Sequence, residues 1–152
     1  MDSGTSLATE KILAFPRADV RDESKLEITV VYTSVPFTLE ALKTAAKLAS
    51  RLSASITILV PQQVPFPLPL ASPPVLLEFS ERRFRTLAEH SPVETRVRLY
   101  LCRDAEETLK SVLSPHSLVV IGARHTFWPV REKRLARQLR RAGHEVILAE
   151  KE

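Results

Sequence analysis

The residues best suited by type to do chemistry lie together in "GARHTFWPVREKR", from Gly122 to Arg134. The apolar run "SLVVI" (Ser117–Ile121) leads into Gly122. α/β folds often keep a phosphate at such a strand end, because a glycine lets main-chain N–H groups approach the anion. Here no second glycine follows. Arg124, His125, Arg131, Lys133 and Arg134 follow instead, and a guanidinium grips phosphate through its planar fork of donors. Two readings result. A phosphate site could be rebuilt from charged side chains, which would suit a nucleotide, a cyclic dinucleotide or another anion. Alternatively, the side chains fill and cover a disused cleft, and the domain acts by binding proteins. The second carries more weight, since a glycine motif stripped of its glycines loses its mechanism.

Other chemistry is largely excluded. The whole chain holds three glycines, Gly4, Gly122 and Gly143, too few for a dinucleotide-binding or Walker A loop. No G-x-S-x-G nucleophile elbow occurs. His90, His116, His125 and His144 show no metal-ligand spacing, so no metal is expected. A single cysteine, Cys102, rules out an internal disulfide framework and a cysteine-cluster metal site. Arg103 beside it could lower the thiol pKa, yet a lone cysteine at a strand end usually serves as a small apolar residue. The chain reads as a non-enzyme without catalytic residues.

Composition sets the wider frame. With 152 residues, 44% hydrophobic and 26% charged, the chain suits one globular domain. No apolar run approaches the ~20 residues that span a bilayer. The N-terminus lacks a basic start and an apolar h-region, so a cytoplasmic location and no membrane partner are expected. Charge is uneven: between Arg124 and Arg141 there are seven basic residues and one acid, Glu132. Arg134, Arg137 and Arg141 share one helical face, and Trp128 could stack on a base. No nucleic-acid module is visible, however, and Trp128 stands seven residues before Leu135, which predicts a core anchor. Nucleic acid therefore ranks behind the other partners.

Residues 1–27 read as a polar extension with one apolar patch, "KILAF", whose packing the sequence leaves open. Residues 28–152 read as a single α/β domain. "ITVVY" (Ile28–Tyr32), "SITILV" (Ser55–Val60) and "SLVVI" are continuous apolar runs, the mark of strands buried on both faces. "TRVRLYL" (Thr95–Leu101) alternates, which predicts an edge strand, and "EVILA" (Glu145–Ala149) closes the chain. Between them the spacing predicts four helices. Residues 39–52 follow an N-cap at Thr38, residues 75–90 put Leu77 and Phe84 inward, residues 104–113 open with a capping Asp104, and Trp128–Ala142 ends at Gly143. "PQQVPFPLPLASPP" (Pro61–Pro74) holds six prolines and reads as a stiff loop or a lid. Alternating strands and helices give a five-stranded doubly wound parallel sheet with helices on both faces. A ligand would then sit beyond the C-terminal strand ends, in the turns after Tyr32 and Ile121.

From Ile28 onward the chain resembles the universal stress protein family. The likeness rests on the order of "ITVVYTSVPFTLEALKTAAKLASRLSASITILV", "CRDAEETLKSVL", "SLVVIGAR" and "RLARQLRRAGHEVILAE". The resemblance implies a stress-response or regulatory domain whose last strand pairs with its symmetry mate. It thus implies a homodimer through Val146, Ile147, Leu148 and Ala149. ATP-binding members carry G-x-x-G, about nine residues, then G-S or G-T, and an acidic residue after the first strand. In this chain only Gly122 is kept. His125 takes the second glycine's position, Lys133–Arg134 falls at the G-S pair, and Thr33 replaces the acid. No cofactor is therefore expected, with ATP or another adenine nucleotide as the one candidate.

Overall fold

Three runs of β-branched residues build the middle of the sheet. The computed structural model describes residues 9–15, 26–63 and 77–151. Its elements are β1 (Thr9–Phe15), β2 (Glu27–Val31), α1 (Val35–Leu52), β3 (Ser55–Gln63), α2 (Leu77–Glu89), β4 (Thr95–Cys102), α3 (Ala105–Val112), β5 (Leu118–Arg124), α4 (Arg131–Arg141) and β6 (Glu145–Lys151). Strand order is β1-β4-β3-β2-β5-β6. The strands from β2 to β6 are mutually parallel. This is the expected five-stranded doubly wound sheet, with one addition. β1 pairs antiparallel with β4, Thr9 opposite Cys102 and Phe15 opposite Val97. The "KILAF" patch thus joins the sheet and covers β4, which the alternating pattern had marked as an open edge. Residues 1–8 and 16–25 lie outside the described residues.

Burial follows the period of two that a pleated strand imposes. On one face Ile28, Val30, Ile56, Ile58, Val60, Val97, Leu99 and Val120 meet the alanine-rich side of α1 and Phe84 and Leu87 of α2. On the other, Val31, Leu59, Val119, Ile121 and Val146 meet Leu109 of α3 and Leu135, Ala136 and Leu139 of α4. Each large apolar side chain so buried contributes about 1.5–3 kcal/mol. Helices thus cover both faces. No helix among the described residues is long and apolar enough to cross a membrane.

Three boundaries differ from expectation, each for a local reason. Helix α1 starts at Val35 with Ser34 as N-cap, its Oγ accepting from Phe37 N–H at 3.4 Å. Pro36 fits that first turn, where its missing N–H is not needed. Thr38, expected as the cap, is instead fully buried, and its Oγ1 accepts from Thr33 N–H at 3.2 Å.

Helix α4 starts at Arg131 rather than Trp128. Trp128 precedes Pro129, and the ring of a proline disfavours helical geometry at the residue before it. Trp128 is 76% exposed, so it does not anchor the core. Ala142, expected inward, is exposed too. Gly143 does end the helix, with φ +100°.

The third difference is Pro61, which lies within β3 and not in a loop. Leu59 C=O accepts from Tyr32 N–H at 2.9 Å, so the polar groups of Leu59, and of Pro61 two residues on, face β2. β2 has already ended at that level, and no N–H is needed. β3 continues beside β4 to Gln63, opposite Cys102. The rest of the proline-rich segment, residues 64–76, lies outside the described residues, and with it the lid expectation. α2 begins at Leu77, and the side chain of Leu77 is likewise outside.

Candidate functional site

Because β3 and β4 run on past the end of β2, the C-terminal ends of the strands form a step. A cleft of about 330 Å³ opens there. Its floor is Val31, Tyr32 and Thr33 at the end of β2 and Val60–Gln63 of β3. The walls come from three helices: Arg83 and Phe84 of α2, Ala105, Glu106 and Leu109 of α3, and Arg131, Glu132 and Leu135 of α4. This volume lies at the lower end for small-molecule sites. Among the described residues two arginines and two glutamates line it, and its inner surface is mixed, a little more apolar than polar.

The polar groups are placed by neighbouring contacts. Arg83 Nη2 donates to Tyr32 Oη at 2.9 Å, and the Tyr32 ring meets Phe84 edge-on with centroids 5.1 Å apart. Thr33 is half-buried, and its buried Oγ1 has no hydrogen-bond partner among the described residues. Gln63 Oε1 accepts from Ala105 N–H at 3.4 Å, which ties the end of β3 to the start of α3. There Asp104 caps as expected, Oδ1 accepting from Glu107 N–H at 3.1 Å. Helix α4 differs. Its N-cap is Val130, and no side chain caps its first turn. The positive end of that helix dipole and the Arg131 guanidinium both favour an anion beside the cleft.

Of the residues singled out in the sequence, Thr33 and Arg131 line the cleft and the others do not. Gly122 is buried against helix α1: a Cβ added there would lie 1.8 Å from the Phe37 carbonyl oxygen. Its missing side chain makes room for α1. Arg124 stands exposed at the end of β5. His125 is exposed as well; its N–H donates to Lys151 C=O at 3.0 Å, and its Nδ1 lies 3.1 Å from Glu150 Oε1. The Lys133 ammonium donates to the Thr126 carbonyl and so braces the β5–α4 loop. Arg134 is exposed on the outer side of α4. Cys102 is fully buried, and burial pushes its thiol pKa up, against the lowering expected from Arg103. A buried protonated thiol is a poor nucleophile. Among the described residues no group of His, Cys, Asp or Glu is placed to hold a metal ion.

Sequence reasoning missed Gln62, Gln63, Arg83, Phe84, Glu106 and Leu109. They come from three elements far apart in the chain, and no motif spacing links them. The proline at position 61 was the one available signal, since it marks where β3 outruns β2.

At the far edge of the sheet, Glu145 N–H donates to Ser117 C=O at 3.0 Å, which sets the phase of β6. The main-chain groups of Val146, Leu148 and Glu150 therefore face away from β5, toward the open side. Arg140 Nη2 donates to Val146 C=O at 2.9 Å and covers one of them. Val146 and Ala149 are buried, while Ile147 and Leu148 are half-buried.

No protein-family model matches this chain, and no curated protein matches it.

Proposed function

We propose that the chain is a non-enzymatic, universal-stress-protein-like regulatory domain of the cytoplasm. It has no cofactor, does not hold a triphosphate in the ATP-binding manner, and works through protein contacts. The observation that carries this reading is the packing of Gly122 on Phe37. Its side-chain space is occupied by the main chain of α1; of the cations after it, Arg124 and Arg134 are exposed, Lys133 braces the loop, and Arg131 alone borders the cleft. Under this reading the domain pairs with a second copy through the open side of β6, where Leu148 and Glu150 offer main-chain donors and acceptors.

A second reading is favoured by the cleft itself. Among the described residues an unpartnered Thr33 Oγ1, the uncapped start of α4 and Arg131 all border one space of about 330 Å³. That combination suits a small anionic or nucleotide ligand, a cyclic dinucleotide included, held by side chains rather than by glycine main chain. Of the seven candidate residues only Thr33 and Arg131 would then touch it.

The test is the melting temperature of the full chain with ATP, AMP and cyclic dinucleotides at millimolar concentration and physiological salt. A ligand present at 100 times its Kd adds about 2.7 kcal/mol of stability. The first reading expects no shift with any of them. A shift abolished by Arg131→Ala would replace it with the second.

A further inference from the structure

The loop from β5 to α4 strings four apolar residues together: Phe127, Trp128, Pro129 and Val130. The first three are exposed. Phe127 is 103% exposed and Trp128 76%, so nothing among the described residues shields either ring. The loop is nonetheless braced. Lys133 Nζ donates to Thr126 C=O, and Trp128 N–H donates to Thr126 Oγ1 at 3.2 Å. Two large rings held out in water gain free energy only where another surface removes them from it.

Among the described residues the exposed charges around this tip are mostly cationic. Arg124 and Lys151 stand opposite each other where β5 and β6 end, a like-charge pair that is unfavourable unless an anion lies near. Arg131 opens α4, and Arg134, Arg137 and Arg141 follow along its outer side, all exposed. Two carboxylates among the described residues lie close by. Glu150 meets His125 at 3.1 Å, and Glu132 lines the cleft.

We infer that this tip and its cationic surround dock on an anionic lipid surface. Phe127 and Trp128 enter the headgroup layer, where aromatic rings favour the boundary between water and hydrocarbon. The arginines face lipid phosphates. Association is peripheral, since no described helix is long and apolar enough to cross a membrane. A single-stranded nucleic acid would also meet cations and rings, but it needs a groove tracking its backbone and faces on which successive bases stack. Half of this apolar run, Pro129 and Val130, has no aromatic face, and a ring exposed as fully as Phe127 has no groove wall beside it among the described residues. Lipid fits the tip better.

Trp128 is the sole tryptophan, so its fluorescence reads the tip directly. The full chain would be titrated with phosphatidylcholine vesicles with and without phosphatidylglycerol, and separately with a single-stranded oligonucleotide. The expected result is a blue shift and co-sedimentation with the phosphatidylglycerol vesicles alone, reversed by high salt. Phe127→Ser keeps the reporter and the melting temperature and weakens binding about tenfold. Replacing Arg124 and Arg134 by glutamine weakens it roughly fivefold per charge. An unchanged emission with protein left in the supernatant overturns the inference. So does an equal response to neutral vesicles, or a response to the oligonucleotide with none to lipid.

Discussion

The Phe37 carbonyl oxygen lies 1.8 Å from the point a Cβ on Gly122 would occupy. The contact joins the first turn of α1 to the end of β5, so this glycine is a packing requirement between helix and sheet. The contacting atoms are main chain and cannot rotate away. Gly122→Ala should therefore cost about 1–3 kcal/mol or more, seen as a lower urea midpoint with an unchanged slope. A variant as stable as the parent would mean that α1 can lift off the sheet freely.

His144 gives the fold a pH dependence. It is almost fully buried, and its Nδ1 accepts from Ser117 N–H at 3.1 Å, which requires a neutral ring. Burial first, and the neighbouring His116 second, hold its pKa below the ordinary histidine value of about 6.5. The unfolded chain then takes up the proton more readily than the folded one. The His144 contribution is complete above that ordinary value and is lost as pH falls through the lower, folded one. His144→Asn, which keeps an acceptor near the Nδ1 position and does not titrate, should flatten the fall in unfolding free energy below that pH. An unaltered slope would assign the dependence to other groups.

Cys102 should be inert in the folded protein. Its Sγ faces Gln62 C=O at 3.7 Å, deep beside β3, and the thiol is held protonated. At neutral pH a thiol reagent should modify it at least about tenfold more slowly before denaturation than after. Equal rates would contradict the burial.

The open side of β6 supplies a test of pairing. Leu148 N–H faces away from β5, so Leu148→Pro removes a donor that the intramolecular ladder does not use. The parent chain should sediment as a dimer at micromolar concentration, and the variant as a folded monomer with the parent's circular dichroism. A monomeric parent would remove the dimer from the account.

Much of the fold was legible in the sequence because burial on both faces leaves a continuous apolar run. Ile28–Val31, Ile56–Val60 and Val119–Ile121 announce the central strands in that way, and Gly143 marks the end of α4. What escaped depends on neighbours the sequence does not show. Pro61 is compatible with a strand only because β2 stops short of it. Trp128 shares its helical spacing with Leu135, yet Pro129 between them keeps it out of the helix and in solvent. The "KILAF" patch became a strand by pairing with β4, a contact across more than eighty residues. At the site, Thr33 could be picked out because the resemblance puts it where an acid follows the first strand, and Arg131 because it belongs to the run of cations after Gly122. Gly122, the most conspicuous residue of the opening segment, serves packing instead.

The central claim is that this domain does not grip a triphosphate as ATP-binding universal stress proteins do. Isothermal titration of ATP into the full chain at physiological salt tests it most directly. The account predicts no measurable heat of binding up to millimolar nucleotide. Saturable binding with a micromolar Kd would contradict it, and its loss in Arg131→Ala would place the phosphates at the start of α4.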